Sequence, residues 1–314
     1  MLAVRALFAG LAAVLRAPLL ILAATVAMLA ATIPFGLLLG SQLQSELAVR
    51  QPVSQGSDEI DPEWWLEFRE HADGLAATFT PAILGFAAPL DNLSSLLDGT
   101  RRPMILLVPF VVSMLIWALL WGAALHAFAH GSGSGSWRSA VRTFVPFTMI
   151  SLAAAAVVLV LYVTVHPVLF GPIAARLQDA AATEQGAFMG RVLLYVIFGG
   201  LLIAVSLLAD YARVSMVVAP ARSAGHAIVL SWRFLTRHPG RVAVLYLATG
   251  SLFVMLMIFY GTLEVVGGSQ VGGWRGIAIA QAYIVARLVI RLTFGASEVW
   301  LYRALAPGAA SQPS

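Results

Sequence analysis

Neither cysteine nor lysine occurs in this sequence of 314 residues. Without cysteine the chain has no disulfide, no thiolate nucleophile and no Cys-ligated zinc or iron–sulfur site. Without lysine it has no Schiff-base amine and no phosphate-loop lysine. All nineteen basic residues are therefore arginine, as a GC-rich genome would favour. Charge of either sign is scarce, at 11% of residues against about 25% in a soluble domain. No Gly-x-Ser-x-Gly elbow, P-loop, dinucleotide-binding glycine pattern or metalloprotease motif appears. These absences point away from an enzyme, and neither a catalytic residue nor a cofactor is expected. The arginines are scattered rather than gathered in one stripe, so nucleic acid is not an expected partner.

What is present is apolar sequence: 60% of residues are hydrophobic and mean hydropathy is +0.88. A helix crossing a bilayer core of about 30 Å needs ~20 apolar residues. Six runs meet this, at about 18–40, 104–126, 146–166, 191–209, 242–263 and 277–301. The expected fold is an all-α polytopic transmembrane helix bundle of six spans, a single domain over 1–306. The first run is too long for the 7–15-residue core of a signal peptide and is expected to remain as a span. A tail at 307–314 is expected to be disordered.

Between the first two runs lies a polar insertion, 41–102. It holds ten of the fifteen acidic residues, opposed by Arg50, Arg69, Arg101 and Arg102 only. Arginines bias short loops toward the cytoplasm. With both termini inside, ten arginines fall on the cytoplasmic side and seven outside, and the acidic insertion is extracytoplasmic. A bacterial inner membrane location follows as the expectation. Within the insertion, Asp61-Pro62-Glu63 reads as a helix start. Trp64, Trp65 and Phe68 then make one apolar face suited to the outer interface. The segment Thr78 to Phe86 is apolar but too short and broken to span. One reading packs this insertion on the helix ends; another makes it a lid or a docking surface for a protein partner.

The heptapeptide Ser-Trp-Arg-x-x-x-Arg occurs twice, at Ser136-Trp137-Arg138…Arg142 and Ser231-Trp232-Arg233…Arg237. Each copy precedes two apolar runs. Arg16-Ala17-Pro18 is a weaker relative of Arg237-His238-Pro239 and also precedes two. Three tandem units are expected, each an interfacial helix followed by a membrane hairpin, repeated in parallel. Positions i and i+4 share a helix face, so each arginine pair can meet anionic headgroups while its tryptophan sits at the boundary. Trp137, Arg138, Arg142, Trp232, Arg233 and Arg237 are thus assigned to the inner-leaflet surface, with membrane lipids as partners. The Gly-Ser tract 132–136 reads as a flexible joint. Gly36 and Gly40 form a small-xxx-small face for helix packing.

The last run holds the main anomaly. Arg287 lies near its centre, Arg291 one turn on, and Glu298 seven residues further. Asp210 and Arg213 sit at the inner end of the fourth run. An intramembrane charge costs at least ~2.5–3.5 kcal/mol on insertion scales and normally faces a partner. Arg287 and Arg291 are candidates for an anion or lipid-headgroup site. Asp210, Arg213 and Glu298 are candidates for ion pairs between helices, in which case the two arginines lock helices together. A third reading has the arginines snorkel to the surface. His126 and His130 have a metal-compatible spacing but no third ligand near in sequence, so no metal is expected. His166-Pro167 reads as the end of the third helix.

Several strings together carry a resemblance: Thr78-Phe79-Thr80-Pro81 with Gly85-Phe86-Ala87-Ala88 and Asp91-Asn92-Leu93-Ser94; Asp210-Tyr211-Ala212-Arg213-Val214; Arg237-His238-Pro239-Gly240-Arg241; and Arg287, Arg291, Phe294 and Ala296-Ser297. Over about residues 60–300 the chain resembles a group of uncharacterised bacterial polytopic membrane proteins from GC-rich phyla. It is more loosely similar to the six-span membrane domain fused to some glycerophosphodiesterases. The resemblance implies six helices in the inner membrane and carries no catalytic residue. The expectation is a non-enzymatic membrane protein assisting transport, lipid handling or complex assembly, the alternative being a transporter or channel with its anion site at Arg287 and Arg291.

Overall fold

The computed structural model describes residues 2–49, 62–72, 74–78, 87–100, 104–131, 134–219, 221, 223–267 and 273–306. Among these every regular element is helical. In chain order they are α1 (Leu2–Leu15), α2 (Pro18–Val49), α3 (Pro62–His71), α4 (Ala87–Asp98), α5 (Leu107–His130), α6 (Ser134–Val160), α7 (His166–Val168), α8 (Ala174–Ala180), α9 (Glu184–Val218), α10 (Ala224–Arg237), α11 (Pro239–Gly267) and α12 (Gly273–Leu305). Six helical stretches are long and apolar enough to cross a membrane: Pro18–Ser45, Met104–His130, Gly135–Ala180, Glu184–Val218, Pro239–Leu263 and Trp274–Leu305. The protein is an all-α polytopic bundle. With six crossings the start of α2 and the end of α12 lie on one side, called here the terminal end; α3 and α4, between the first two spans, belong to the opposite, distal end. Asp61, residues 79–86 and the tail 307–314 lie outside the described residues, as do the side chains of Trp64 and Trp65.

The helices overrun the apolar runs because backbone hydrogen bonding continues through polar residues. The third is the extreme case. It starts at Ser134 rather than after a separate interfacial helix, so most of the Gly-Ser tract is helical instead of a joint, and it runs through Pro146. It also continues past His166-Pro167, where the sequence suggested an end. Two wide π turns, Leu161–Val165 and Leu169–Ile173, accompany Pro167 and Pro172. A proline lacks an N–H and its ring crowds the carbonyl four residues back. Widening the ladder by one residue accommodates both defects without breaking the rod.

Close approach between helices rests on small residues. Gly10 on α1 lies against α12, where an added Cβ would fall 2.2 Å from Ser297 Oγ and 2.8 Å from its backbone N. Gly122 on α5 meets α6 likewise, 2.7 Å from Ala140 Cα. Ala3, Ala6 and Val14 complete the buried face of α1, so this helix packs into the bundle rather than only lying on its surface. Gly36 and Gly40, by contrast, have no neighbour within 4 Å of an added Cβ; among the described residues nothing packs on this face of α2. The central core joins Trp117, Trp121, Phe147, Tyr211, Phe234, Leu292 and Leu301.

Only the second Ser-Trp-Arg copy forms a separate amphipathic helix, α10. Ser223 caps it by accepting from the His226 backbone N–H at 3.2 Å, and Ala227, Ser231 and Phe234 face inward. Ser231 donates to the Leu208 carbonyl of α9 at 2.9 Å. In both copies the serine is buried, while the tryptophan and both arginines are exposed.

Candidate intramembrane anion site

Two arrangements of arginine occur inside the spans, and they differ in what faces each guanidinium. Asp210 and Arg213 are one turn apart on α9. They lie eight and five residues before its end, about 12 and 8 Å at 1.5 Å per residue, rather than at the helix terminus. Arg213 Nη1 donates to Asp210 Oδ1 at 2.5 Å, and Nη2 donates to Ser151 Oγ on α6 at 3.1 Å. The ion pair is within one helix, and its cross-link runs to α6, not to α12. Glu298 is buried on α12 at 3% exposure. It lies within electrostatic reach of Asp210 and Arg213, but its Oε1 has no hydrogen-bond partner, nor does the Tyr211 hydroxyl.

Arg287 and Arg291 share one face of α12 and are both exposed. Arg287 is the fourteenth residue of the span Trp274–Leu305, and Arg291 lies fourteen before its end, so each is about 20 Å from one end of the helix. They line a cavity of about 430 Å³ walled by Met28 of α2, Trp117 of α5, Tyr246, Thr249 and Phe253 of α11, and α12 itself. The Arg291 guanidinium lies over the Trp117 ring, 3.6 Å from its centroid. That of Arg287 lies 5.5 Å from the Phe253 centroid and 5.6 Å from Tyr283. Among the described residues no ion pair or hydrogen bond is formed by either arginine. Neither the expected contact to Asp210 nor one to Glu298 is made.

The aromatic walls follow from helix geometry. Tyr246 and Phe253 lie seven apart on α11, two turns on the same face, and Tyr246 meets Phe294 edge-on at 5.2 Å. Trp117, itself buried, is held by Trp121 at 5.6 Å. Sequence reasoning missed Trp117, Tyr246 and Phe253, because an aromatic within an apolar run carries no signal separating a cavity wall from core. It also missed Ser151, for the same reason.

At the distal end, α4 docks onto the third and fourth spans. Tyr162 donates to the Leu96 carbonyl, the His166 ring nitrogen Nε2 lies 3.0 Å from the Leu97 carbonyl, and Tyr195 donates to Asp98. These carbonyls are among the last four of α4, which lack intrahelical donors. Gly99 (φ +64°) closes the helix, with the Thr100 N–H reaching the Ser95 carbonyl at 3.0 Å, a Schellman arrangement. The Tyr195 hydroxyl, aided by Ser94 at 3.0 Å and by Arg191, holds the Asp98 carboxyl below its ordinary value near 3.8, against a smaller opposing effect of burial. Phe68 of α3 is buried.

At the terminal end, Trp137, Arg138, Arg142, Trp232, Arg233 and Arg237 are all exposed. His126 and His130 stack with centroids 4.8 Å apart. Among the described residues no three His, Asp, Glu or Cys side chains gather as a metal site. No protein-family model, curated protein or solved structure matches this chain.

Proposed function

We propose that this protein is a non-enzymatic component of the bacterial inner membrane that handles lipid, and that its cleft at Arg287 and Arg291 receives the anionic headgroup of an amphiphile. The observation carrying this reading is a pair of exposed guanidiniums about midway along a span, neither of them in an ion pair or hydrogen bond among the described residues. Each such charge facing hydrocarbon costs at least ~2.5–3.5 kcal/mol. A phosphate offsets that cost through charge-assisted, bidentate hydrogen bonds, which arginine makes better than any other side chain. The aromatic rings hold the guanidiniums in the cleft; cation–π contacts contribute roughly 0.5–2 kcal/mol each. The volume lies within the ~300–1,000 Å³ range of ligand pockets, and the walls are otherwise apolar, as an acyl chain or glycerol requires. On this reading the terminal end is cytoplasmic, in line with its arginine excess, and the acidic insertion is extracytoplasmic and open to a protein partner.

The test is thermal unfolding of delipidated protein in neutral detergent. Phosphatidylglycerol should raise the midpoint where phosphatidylcholine does not. The double variant Arg287→Gln, Arg291→Gln should lose most of that rise. An equal rise in variant and wild type would sink the proposal.

A further inference from the structure

The two copies of the repeated heptapeptide have different surroundings. Arg233 and Arg237 lie exposed along α10. Arg138 and Arg142 instead line a cavity of about 490 Å³, formed where the end of α5, the start of α6 and the end of α9 meet. His126 of α5 lines it beside the first turn of α6: a Cβ on Gly135 would be in ordinary contact with His126 Cε1, at 3.4 Å. The ring's Nδ1 is buried and has no hydrogen-bond partner. Among the described residues no acidic residue lines the cavity and neither arginine has an ion pair. Ser139 and Thr143 of α6 line it too, and the end of α9 with Ala221 beyond it gives an apolar side of Met216, Val217 and Ala221.

The geometry points to a second anion site here, one that binds a phosphate group. Two guanidiniums supply up to ten N–H donors, and the imidazole, carried on a different helix, can add another. The first turn of α6 adds backbone N–H groups with no helical acceptor, and Gly135 in that turn lines the cavity. Donors arriving from several directions suit a tetrahedral group with several acceptor oxygens better than a planar carboxylate. The cavity lies at the ends of three spans, the depth at which phospholipid phosphates lie, and its apolar wall would meet glycerol or the first acyl carbons. This site is separate from the cleft at Arg287 and Arg291 and does not depend on that reading. The phosphate can come from a phospholipid of the adjacent leaflet or from a soluble phosphate ester.

Native mass spectrometry of the full chain released from phosphatidylglycerol nanodiscs tests it by stoichiometry. The wild type should retain a phosphatidylglycerol that the double variant Arg138→Gln, Arg142→Gln loses at least tenfold, while Arg287→Gln, Arg291→Gln keeps it. His126→Asn, which leaves both arginines in place, should lower retention several-fold and guards against a folding defect in the double variant. A soluble source is read in a second arm, with delipidated protein and millimolar inorganic phosphate. Phosphate stabilisation that depends on Arg138 and Arg142, without lipid retention, assigns the site to a soluble ester. Lipid retention unchanged by both the Arg138/Arg142 and the His126 variants, with no such phosphate effect, overturns the site. Failure of the Arg287/Arg291 variant alone to change anything overturns the mid-membrane cleft and leaves this site standing.

Discussion

Arg213 and Arg291 are one membrane bundle's two ways of keeping a guanidinium within its spans. Arg213 is enclosed, with a carboxylate at 2.5 Å and a serine hydroxyl at 3.1 Å. Arg291 rests on a tryptophan face at 3.6 Å and opens on a cavity it shares with Arg287. The first arrangement is satisfied by the chain itself and acts as a strut between α9 and α6. The second has the Asp210 carboxylate within electrostatic reach of Arg291 but, among the described residues, no hydrogen bond or ion pair to either guanidinium, which leaves their donors to the cavity. The difference teaches that an intramembrane charge is not by itself a functional signal; what faces it decides.

Breaking the strut should have the largest effect. Arg213→Ala leaves the part-buried Asp210, 26% exposed, without its hydrogen-bonded cation; breaking a fully buried pair costs about 3–5 kcal/mol, which is the upper bound here. Chemical or thermal denaturation in detergent should show the loss, and Asp210→Leu combined with Arg213→Met should recover much of it. Next comes the α1–α12 contact. Gly10→Val places carbon against the Ser297 backbone, and overpacking of this kind costs about 1–3 kcal/mol. The matched control Gly36→Val meets open space and should change stability by no more than about 0.5 kcal/mol. The arginine cleft should then show the opposite pattern to the strut. Arg287→Gln with Arg291→Gln should leave the delipidated protein within about 1–2 kcal/mol of wild type, the scale of the lost cation–π contacts, while removing its response to anionic lipid. A delipidated variant as unstable as Arg213→Ala would make the two arrangements equivalent and erase the distinction.

The smallest effect concerns the distal dock. Asp98 is held below its ordinary value near 3.8 in the folded protein. The dock's contribution is therefore full above that value and is lost as pH falls through the lower folded one. Protection of the α4 amides from hydrogen exchange, relative to their intrinsic rates, should fall selectively as pH drops below 3.8. Asp98→Asn should remove that step, leaving exchange in α9 unchanged.

The bundle was legible because its signals are additive: twenty apolar residues in a row declare a span wherever they occur. The third span's true length was not, because His166-Pro167 read as its end and a π turn leaves no sequence mark. The Ser-Trp-Arg copies mark arginines that are exposed in the structure, but only packing shows that Arg138 and Arg142 line a cavity. Arg287 and Arg291 stood out in sequence as charges among apolar residues. Their aromatic walls did not, since Trp117 and Phe253 come from helices 170 and 34 residues before Arg287 in the numbering. Asp210 and Arg213 showed as a pair at i and i+3, yet their partner Ser151 was one hydroxyl among many.

A cryo-electron microscopy map of the protein in phosphatidylglycerol nanodiscs tests the central claim most directly. The account predicts headgroup density between α2, α11 and α12, with phosphate oxygens about 2.9 Å from both guanidiniums. Acyl chains filling the cleft, with Arg287 and Arg291 stretched away toward the leaflet surfaces, would contradict it.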